Sequence, residues 1–382
     1  MSPALVATPA SPQSMMSITN EHPVESQYQK GVKHLYEIGI RRVPPKYIVP
    51  VSERPNQTHW KTQTTDGSLQ LPVIDLSGLH GPKRSQVVRS LAGACENYGF
   101  FQVVNHGIPN EVISNMMDVT KRFFELPSAE REKYMSADMS KPVRYGTSFN
   151  QLKDSVFCWR DFLKLVCNPL ADVLSHWPSS PMDLRGLAVT YAKETKFLYL
   201  MILEAILESL GLTTTKNTTA DTDDQILSEI KDGSQQMFLN FYPPCPEPDL
   251  TFGLRSHSDF GILTLLLQDE VAGLQIKHQG RWLAIEPIPG SFVVNVGDQL
   301  EIFSNGRYKS VLHRVVVNSS MSRISVASLH SLPSQSAVRP AEKLINQTNP
   351  RRYRDTDIAA FLHHIKSCDY QEKGVLESRK LT

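Results

Sequence analysis

The chain has 382 residues, with 40 lysines and arginines against 39 aspartates and glutamates, so its formal net charge is +1 at pH 7. A charge so close to zero gives no electrostatic basis for binding nucleic acid or an anionic membrane, and no apolar stretch approaches the roughly 20 residues needed to cross a bilayer. The length suits one large domain with appended helices or two domains. Five scattered cysteines without a C-x-x-C pair favour a reducing, cytoplasmic location. Nothing demands a protein partner, so we expect a monomer.

The first half of the chain alternates predicted helices with short strands. Residues 1–25 lack a charged segment followed by an apolar core, which predicts a disordered tail rather than a secretory signal. Apolar spacing predicts a helix over 25–40, ended by Pro44 and Pro45. The same reasoning predicts strands at 71–76 and 101–105 and helices at 85–98 and 109–124. Residues 137–181 are rich in aromatics and proline, and we interpret them as an irregular cover over a pocket.

The second half begins with the clearest helix, at 183–210, followed by a polar insert at 213–225 that predicts a surface loop. Short strand signals then recur between turn residues, which is typical of a double-sheet jelly roll. A short helix is expected from Asp298 to Ser304, and a last one over 355–366, folding back over the barrel mouth. The predicted strands are 238–242, 262–267, 274–278, 282–285, 292–296, 311–317 and 324–329.

These elements predict a mainly β fold with flanking helices, namely a double-stranded β-helix (jelly-roll) core preceded by an α/β segment. The interpretation divides the chain into a tail at 1–25, a helical and α+β region at 26–230, a jelly-roll core at 231–335 and a helical C-terminal tail at 336–382.

Two histidines and an aspartate are the first chemical signal. His257 and Asp259 form an H-x-D pair, and in an extended strand residues i and i+2 point to the same side. His313 follows 54 positions beyond Asp259 and must return on another strand. Two imidazoles and one carboxylate on one face of an ion are the ligands of non-haem Fe(II) oxygenases. The same set also suits a zinc hydrolase. A third histidine, His106, ends a strand before a glycine, which favours a structural role.

An arginine in the strand that follows His313 is the second signal. Arg323 and Ser325 share one face of that strand, and a buried guanidinium is costly unless an anion meets it. Guanidinium groups bind carboxylates through paired hydrogen bonds. Upstream, Asn240 and Tyr242 share a face of a strand that prolines end, where they are placed to hydrogen-bond a small polar ligand.

Together these residues resemble the plant-type 2-oxoglutarate- and Fe(II)-dependent dioxygenases, which have an isopenicillin N synthase-like fold. The likeness covers roughly residues 30–370. It rests on Asn240 to Pro246 (NFYPPCP), the H-x-D pair, His313 and the Arg323-x-Ser325 pair, in that order. Two N-terminal runs match as well, LPVIDL at 71–76 and ACENYGFF at 94–101, the latter continuing into VVNHG at 103–107.

The resemblance implies a catalytic site and its cofactors. His257, Asp259 and His313 would hold Fe(II), and 2-oxoglutarate would bind the metal through its keto acid end. Arg323 would meet its far carboxylate, with Ser325 and Tyr242 donating hydrogen bonds and Asn240 assisting near the keto acid. O2 would be the oxidant and ascorbate the reductant, with succinate and CO2 released.

The same resemblance implies a small, largely hydrophobic or aromatic plant metabolite or hormone as substrate, which would be hydroxylated, desaturated or demethylated. Leu329 stands where flavonoid-oxidising relatives carry an aromatic residue, which argues against a flavonoid stacked there. Two alternatives stay open: an ascorbate-dependent oxidase of the aminocyclopropane carboxylate oxidase type, and a non-catalytic barrel that binds a small molecule. The candidate substrate-contacting residues are Tyr145, Phe149, Trp159, Phe162, Phe238 and Leu329.

Overall fold

A computed structural model of the protein describes most of the chain. The described residues are 30–55, 70–148, 150–151, 153–212, 229–230, 232–367 and 374–381. The predicted tail at 1–25, the predicted insert at 213–225 and Phe149 lie outside these residues. No helix in the described part is long and apolar enough to cross a membrane.

Fourteen strands in the described residues form two large sheets and one small one. The major sheet has the order β1-β2-β10-β7-β12-β5-β4-β3, the minor sheet β6-β11-β8-β9, and β13 pairs with β14. This confirms the predicted mainly β fold with a jelly-roll core. The strands are β1 (Val73–Asp75), β2 (Phe100–Val104), β3 (Val143–Gly146), β4 (Asp161–Val166), β5 (Ser234–Tyr242), β6 (Leu254–His257), β7 (Leu263–Gln268), β8 (Leu274–His278), β9 (Arg281–Ala284), β10 (Phe292–Val296), β11 (His313–Val315), β12 (Arg323–Ser331), β13 (Ala337–Val338) and β14 (Thr356–Asp357).

Helices flank these sheets, and most of the predicted ones are present within a few residues. The longest, at Leu184–Ser209, ends before Gly211, whose φ of 73° suits a glycine after a helix. The helices are α1 (Val32–Glu37), α2 (Arg84–Asn97), α3 (Asn110–Glu125), α4 (Ser128–Glu132), α5 (Leu170–Val173), α6 (Leu184–Ser209), α7 (Asp298–Phe303), α8 (Ile358–Ser367) and α9 (Gly374–Arg379).

The interpretation of residues 137–181 as irregular is wrong. Strands β3 and β4 lie in this segment and extend the major sheet at its edge, with β4 paired to β5. All residues of β3 and nearly all of β4 are buried, including the charged side chains of Arg144, Asp161 and Lys164, so these strands do not have the apolar run that marks a buried strand in the sequence. The predicted N-terminal region and the predicted core therefore share one sheet.

The two faces of the major sheet have different partners. Along β5 and β12 alternate residues such as Leu239 and Val326 face α3 and α6, in the larger of two apolar cores. The intervening residues, including Asn240 and Ser325, face inward, toward the minor sheet. Full burial of a Leu or Val side chain contributes about 1.5–3 kcal/mol, so this outer core holds the sheet rigid behind the inward-facing polar groups.

A buried carboxylate anchors the first helix to the edge of the barrel. Asp161 is fully buried and accepts hydrogen bonds from the backbone N–H groups of Val32 and Lys33 at 2.7 and 2.9 Å. The hydroxyls of Tyr145 and Thr147 donate to the same carboxylate at 2.6 and 2.8 Å. Gly31 precedes α1 with a φ of 95°, and a Cβ there would lie 2.6 Å from Asp161 Oδ2. Only glycine fits this close approach.

Helix α8, in the C-terminal segment, packs against a residue next to the H-x-D pair. The ring of Phe361 stacks on Phe260, with centroids 3.9 Å apart and planes 16° apart. Phe260 directly follows Asp259. This contact places α8 beside the predicted metal site, as expected for a tail that folds back over the barrel mouth.

Candidate active site

Strand pairing brings the two histidines together. In the minor sheet β6 and β11 are antiparallel, and His257 lies directly opposite His313. Their ring centroids are 4.1 Å apart. Asp259 follows the end of β6, and its Oδ1 lies 3.5 Å from His257 Nε2 and 3.7 Å from His313 Nε2. The three ligand atoms therefore converge on one point within 4.8 Å of one another.

Backbone carbonyls orient both imidazoles toward that point. His257 Nδ1 lies 2.9 Å from the carbonyl oxygen of Arg255, and His313 Nδ1 lies 3.3 Å from that of Val311. A carbonyl can only accept a hydrogen bond, so each Nδ1 carries the proton. Each Nε2 is then left with a lone pair directed at the shared point, which is the arrangement that metal-binding histidines need.

The carboxylate of Asp259 is oriented by two polar side chains of the major sheet. Its Oδ2 accepts hydrogen bonds from Thr264 Oγ1 at 2.6 Å and from Asn295 Nδ2 at 2.9 Å. Thr264 in β7 and Asn295 in β10 are partners in the sheet register. With Oδ2 occupied in this way, Oδ1 is the oxygen that faces the histidines.

The protonation states of these groups favour a cation. Burial, followed by the neighbouring His313, lowers the pKa of His257 to about 3, so the ring is neutral at neutral pH. Burial alone would raise the pKa of Asp259, but His313, His257 and the two hydrogen bonds to Oδ2 outweigh it and lower that pKa. A neutral imidazole at His257 and an ionised carboxylate at Asp259, together with Nε2 of His313, fit Fe(II), which takes such a three-residue face and keeps other positions open.

A buried arginine lies at the other end of the inward face. Arg323 is 2% exposed, and its Nη2 donates to Gln268 Oε1 at 2.7 Å, its Nε to the carbonyl of Val271 at 3.1 Å. Its guanidinium carbon lies 5.1 Å from the ring centroid of Tyr242. Among the described residues no carboxylate forms an ion pair with it, so the position suits the carboxylate of a ligand.

Strand register places the other predicted ligand-binding residues beside Arg323. In the pairing of β12 with β5, Arg323 lies opposite Tyr242 and Ser325 opposite Asn240. The hydroxyl of Ser325 accepts long hydrogen bonds, 3.4 Å each, from Arg323 Nη1 and from Asn240 Nδ2. All four side chains are buried on one face of the sheet. The sequence prediction grouped these four residues, and the structure brings them together.

The candidate substrate-contacting residues separate into two groups. Phe162 and Phe238 face inward with ring centroids 5.5 Å apart, and Leu329 lies on the same face of β12, opposite Thr264. The structure turns Tyr145 away from this face, so including it was wrong. Tyr145 alternates with inward residues of β3 and packs on Phe123 and Phe124 in the outer core. Trp159 packs against Tyr47 in the same apolar cluster as Tyr242, and its contact with a substrate stays a prediction.

Sequence reasoning missed three residues that contact the site, namely Thr264, Asn295 and Arg160. Thr264 and Asn295 have no motif of their own, and only the sheet register relates them to Asp259. Arg160 lies just before β4 and donates from Nη1 to Asn240 Oδ1 at 3.2 Å. Arg160 lies two residues before Phe162, so a sequence analysis that recognised β4 would place both side chains on the same face of that strand. His106 was predicted to be structural. It accepts a hydrogen bond from the N–H of Ile108 at 3.1 Å, lies 2.8 Å from the carbonyl of Gly290 and packs its ring against Phe292.

Comparisons with known proteins agree with this geometry. Residues 233–331 match the model of the 2OG-Fe(II) oxygenase superfamily, and residues 71–180 match that of the non-haem dioxygenase N-terminal region named for morphine synthesis. The chain is 42% identical over 343 residues to Protein DMR6-LIKE OXYGENASE 2 of Arabidopsis thaliana, covering 89% of this chain and 95% of the relative. It is also 42% identical over 336 residues to Flavanone 3-dioxygenase 2 of Oryza sativa subsp. japonica, covering 88% and 93%.

A solved structure extends this likeness to three dimensions. The crystal structure of JOX2 in complex with 2OG, Fe and JA has a TM-score of 0.79 to this chain, at 31% identity, and covers 92% of this chain and 98% of its own.

Proposed function

The chain belongs to the family of 2-oxoglutarate- and Fe(II)-dependent dioxygenases, and we propose that it oxidises a small, largely apolar or aromatic plant metabolite or hormone, in the first instance by hydroxylation. The observation that supports this proposal is the pairing of two sites on one inward face. One is the three-ligand centre at His257, Asp259 and His313. The other is the buried guanidinium of Arg323, which donates to Gln268 and to the carbonyl of Val271 and forms no ion pair with a carboxylate of the described residues.

Each residue of the site has a separate task in this proposal. The two Nε2 atoms and Asp259 Oδ1 hold Fe(II), which with 2-oxoglutarate and O2 supplies the oxidising chemistry that ends in succinate and CO2. Arg323 binds the far carboxylate of 2-oxoglutarate, and Ser325 and Tyr242 hydrogen-bond the same end. Asn240 lies nearer the keto acid end. A dry, inward-facing position strengthens the pairing of Arg323 with that carboxylate, because few waters compete.

The substrate is proposed to contact Phe162, Phe238 and Leu329. The two rings lie together on the inward face and offer a flat apolar wall. Leu329 is smaller and not planar, so it offers a substrate less stacking surface than an aromatic residue at the same position. The finer outcome, hydroxylation against desaturation or demethylation, depends on which carbon of the substrate faces the metal.

The test is stoichiometric succinate release by the full chain supplied with Fe(II), 2-oxoglutarate and O2. Asp259→Ala should release none and should bind the metal more weakly. Replacing 2-oxoglutarate with ascorbate separates the alternative oxidase of the aminocyclopropane carboxylate type, which would remain active. Hydrolysis without O2 would indicate the zinc enzyme, and tight small-molecule binding without any succinate would indicate a non-catalytic barrel.

The proposal also covers the reductant, the location and the oligomeric state of the enzyme. We propose that ascorbate serves only to keep the iron reduced, and that the enzyme acts as a cytoplasmic monomer. The four cysteines within the described residues are unpaired and buried, as in a reducing compartment.

We also propose that the catalytic unit combines residues 231–335 with the preceding region at 26–230, because β4 supplies Phe162 to the inward face.

A further inference from the structure

A second buried guanidinium faces the proposed active site. Arg160 is 5% exposed, and its Nε is buried with no hydrogen-bond partner in the part of the chain that the structure describes. Its Nη1 makes one hydrogen bond, at 3.2 Å, to the neutral amide of Asn240. Its guanidinium carbon lies 4.9 Å from the ring centroid of Phe162. No carboxylate among the described residues forms an ion pair with it, so a charged group is buried without a counter-charge.

Burying the guanidinium of Arg160 costs free energy unless an anion binds beside it during catalysis. Isolated charges are strongly disfavoured in a low-dielectric interior, and burying an arginine normally requires a paired acid. Two neighbouring inward residues add further positive charge to this region. Arg144 and Lys164 lie opposite each other in β3 and β4, and both are buried cations. Burial and the charge of Arg160 lower the pKa of Arg144 to about 10.

Charge balance points to the substrate as the source of that anion. In the proposed complex the two positive charges of Fe(II) and the single charge of Arg323 are matched by Asp259 and the two carboxylates of 2-oxoglutarate. The guanidinium of Arg160 remains as an unmatched charge. It lies between Asn240, at the keto acid end of the cosubstrate, and the aromatic pair Phe162 and Phe238.

We propose that Arg160 binds the carboxylate of an acidic substrate, whose apolar or aromatic body packs on Phe162 and Phe238. This inference rests on the proposed function and narrows its substrate class to small carboxylic acids. Nε and an adjacent Nη of a guanidinium form a fork that matches both oxygens of a carboxylate. Nη1 stays with Asn240, which leaves the Nε side of Arg160 for the acid.

The experiment compares the Kd of small aromatic acids with the Kd of their neutral amides. The full chain is loaded with 2-oxoglutarate and with Mn(II), which replaces Fe(II) so that binding is measured without turnover. Calorimetry measures the Kd of benzoate, phenylacetate and trans-cinnamate against benzamide, phenylacetamide and trans-cinnamamide. We expect at least one acid to bind tenfold or more tightly than its amide. Arg160→Leu should raise the Kd of the acid to that of the amide and leave the Kd of the amide unchanged. Arg160→Lys should retain part of the preference, because it keeps the charge and loses the fork.

The control variant is Lys164→Met, which removes a buried cation from the same face of β4. The ammonium of Lys164 already donates to the carbonyl of Met139 at 2.7 Å, so the acid preference should survive its loss. Arg160→Gln, which keeps a donor for Asn240, serves if the leucine variant does not fold.

The proposal is overturned if the wild type shows no acid preference, or if the preference survives the loss of Arg160 or disappears only in Lys164→Met. Equal weakening of acid and 2-oxoglutarate binding in Arg160→Leu would assign Arg160 to the cosubstrate instead. The Kd of 2-oxoglutarate in the wild type is the separate readout of the proposed function. If 2-oxoglutarate binds and acids show no preference, only the inference about Arg160 fails.

Discussion

The two hydrogen bonds to Asp259 Oδ2 offer a direct test of how the major sheet positions the metal ligands. Thr264→Val removes the hydroxyl that donates to Oδ2 at 2.6 Å and keeps nearly the same side-chain shape. Only Asn295, at 2.9 Å, then holds this oxygen. The carboxylate loses part of the orientation that directs Oδ1 at the two histidines, so metal binding should weaken while the fold persists.

The magnitude follows from the charge of the acceptor. A hydrogen bond to a charged group contributes about 1.5–3 kcal/mol, and each 1.4 kcal/mol is about a tenfold change in Kd. We therefore expect Thr264→Val to weaken Fe(II) binding by about 10- to 100-fold, the range seen when partners of metal ligands are removed. Adding Asn295→Leu removes both donors to Oδ2 and should weaken binding further than the single variant.

Anaerobic titration of the full chain with Fe(II), followed by calorimetry, measures this Kd. Thr264→Ser is the matched control, since it keeps the hydroxyl and loses only a methyl group, and it should bind the metal nearly as the wild type does. Urea unfolding of the metal-free proteins checks that the variants fold. Metal binding by Thr264→Val within twofold of the wild type, in a folded protein, would refute the idea that Oδ2 contacts orient the ligand.

Three other predictions address the fold and the barrel mouth. Asp161→Asn leaves only one accepting oxygen for four donors, so it should lower the free energy of unfolding by about 2–4 kcal/mol in urea titrations; an unchanged value would refute the anchoring role. Burial lowers the pKa of His330 to about 3, so the unfolded chain takes up a proton below about pH 6.5 that the folded chain refuses. This group should therefore contribute a loss of stability of about 1.4 kcal/mol per unit as the pH falls from about 6.5 to 3, and His330→Phe should make the measured loss shallower by that amount in urea titrations; an equally steep loss would contradict this cause. Phe361→Ala removes the ring stacked on Phe260 and should raise the ratio of succinate to oxidised substrate, because water reaches the site more readily; an unchanged ratio would mean that α8 does not cover the mouth.

Local sequence patterns predicted much of the second half of the chain. Strands β8 and β10 begin and end where the alternation and turn residues indicate, and β5, β7 and β12 differ at their ends by a few residues. The long helix α6 is likewise visible in its apolar spacing. Strand β8 alternates between buried and half-buried residues, so the period of 2.0 residues appears in its sequence. Strand β10 is buried throughout and was recognisable as a short, mainly apolar run bounded by glycines.

The same reasoning missed β3 and β4. These short strands bury the charged residues Arg144, Asp161 and Lys164 beside their apolar ones, so they do not have the apolar composition expected of a buried strand. Tyr145 was consequently assigned to the pocket, although its neighbours in β3 and β4 turn it toward the outer core. Only hydrogen bonding of β4 to β5, between residues about 80 positions apart, decides which face each side chain occupies.

The sequence by itself determined the kind of site, since the types and order of the two histidines, the aspartate and the arginine specify a metal centre and an anion. Tertiary structure alone decided the arrangement of that site. The register of β7 with β10 supplies the two donors that orient Asp259, and the pairing of β4 with β5 brings Arg160 to Asn240. Both depend on contacts between residues far apart in the chain, for which local periodicity carries no signal.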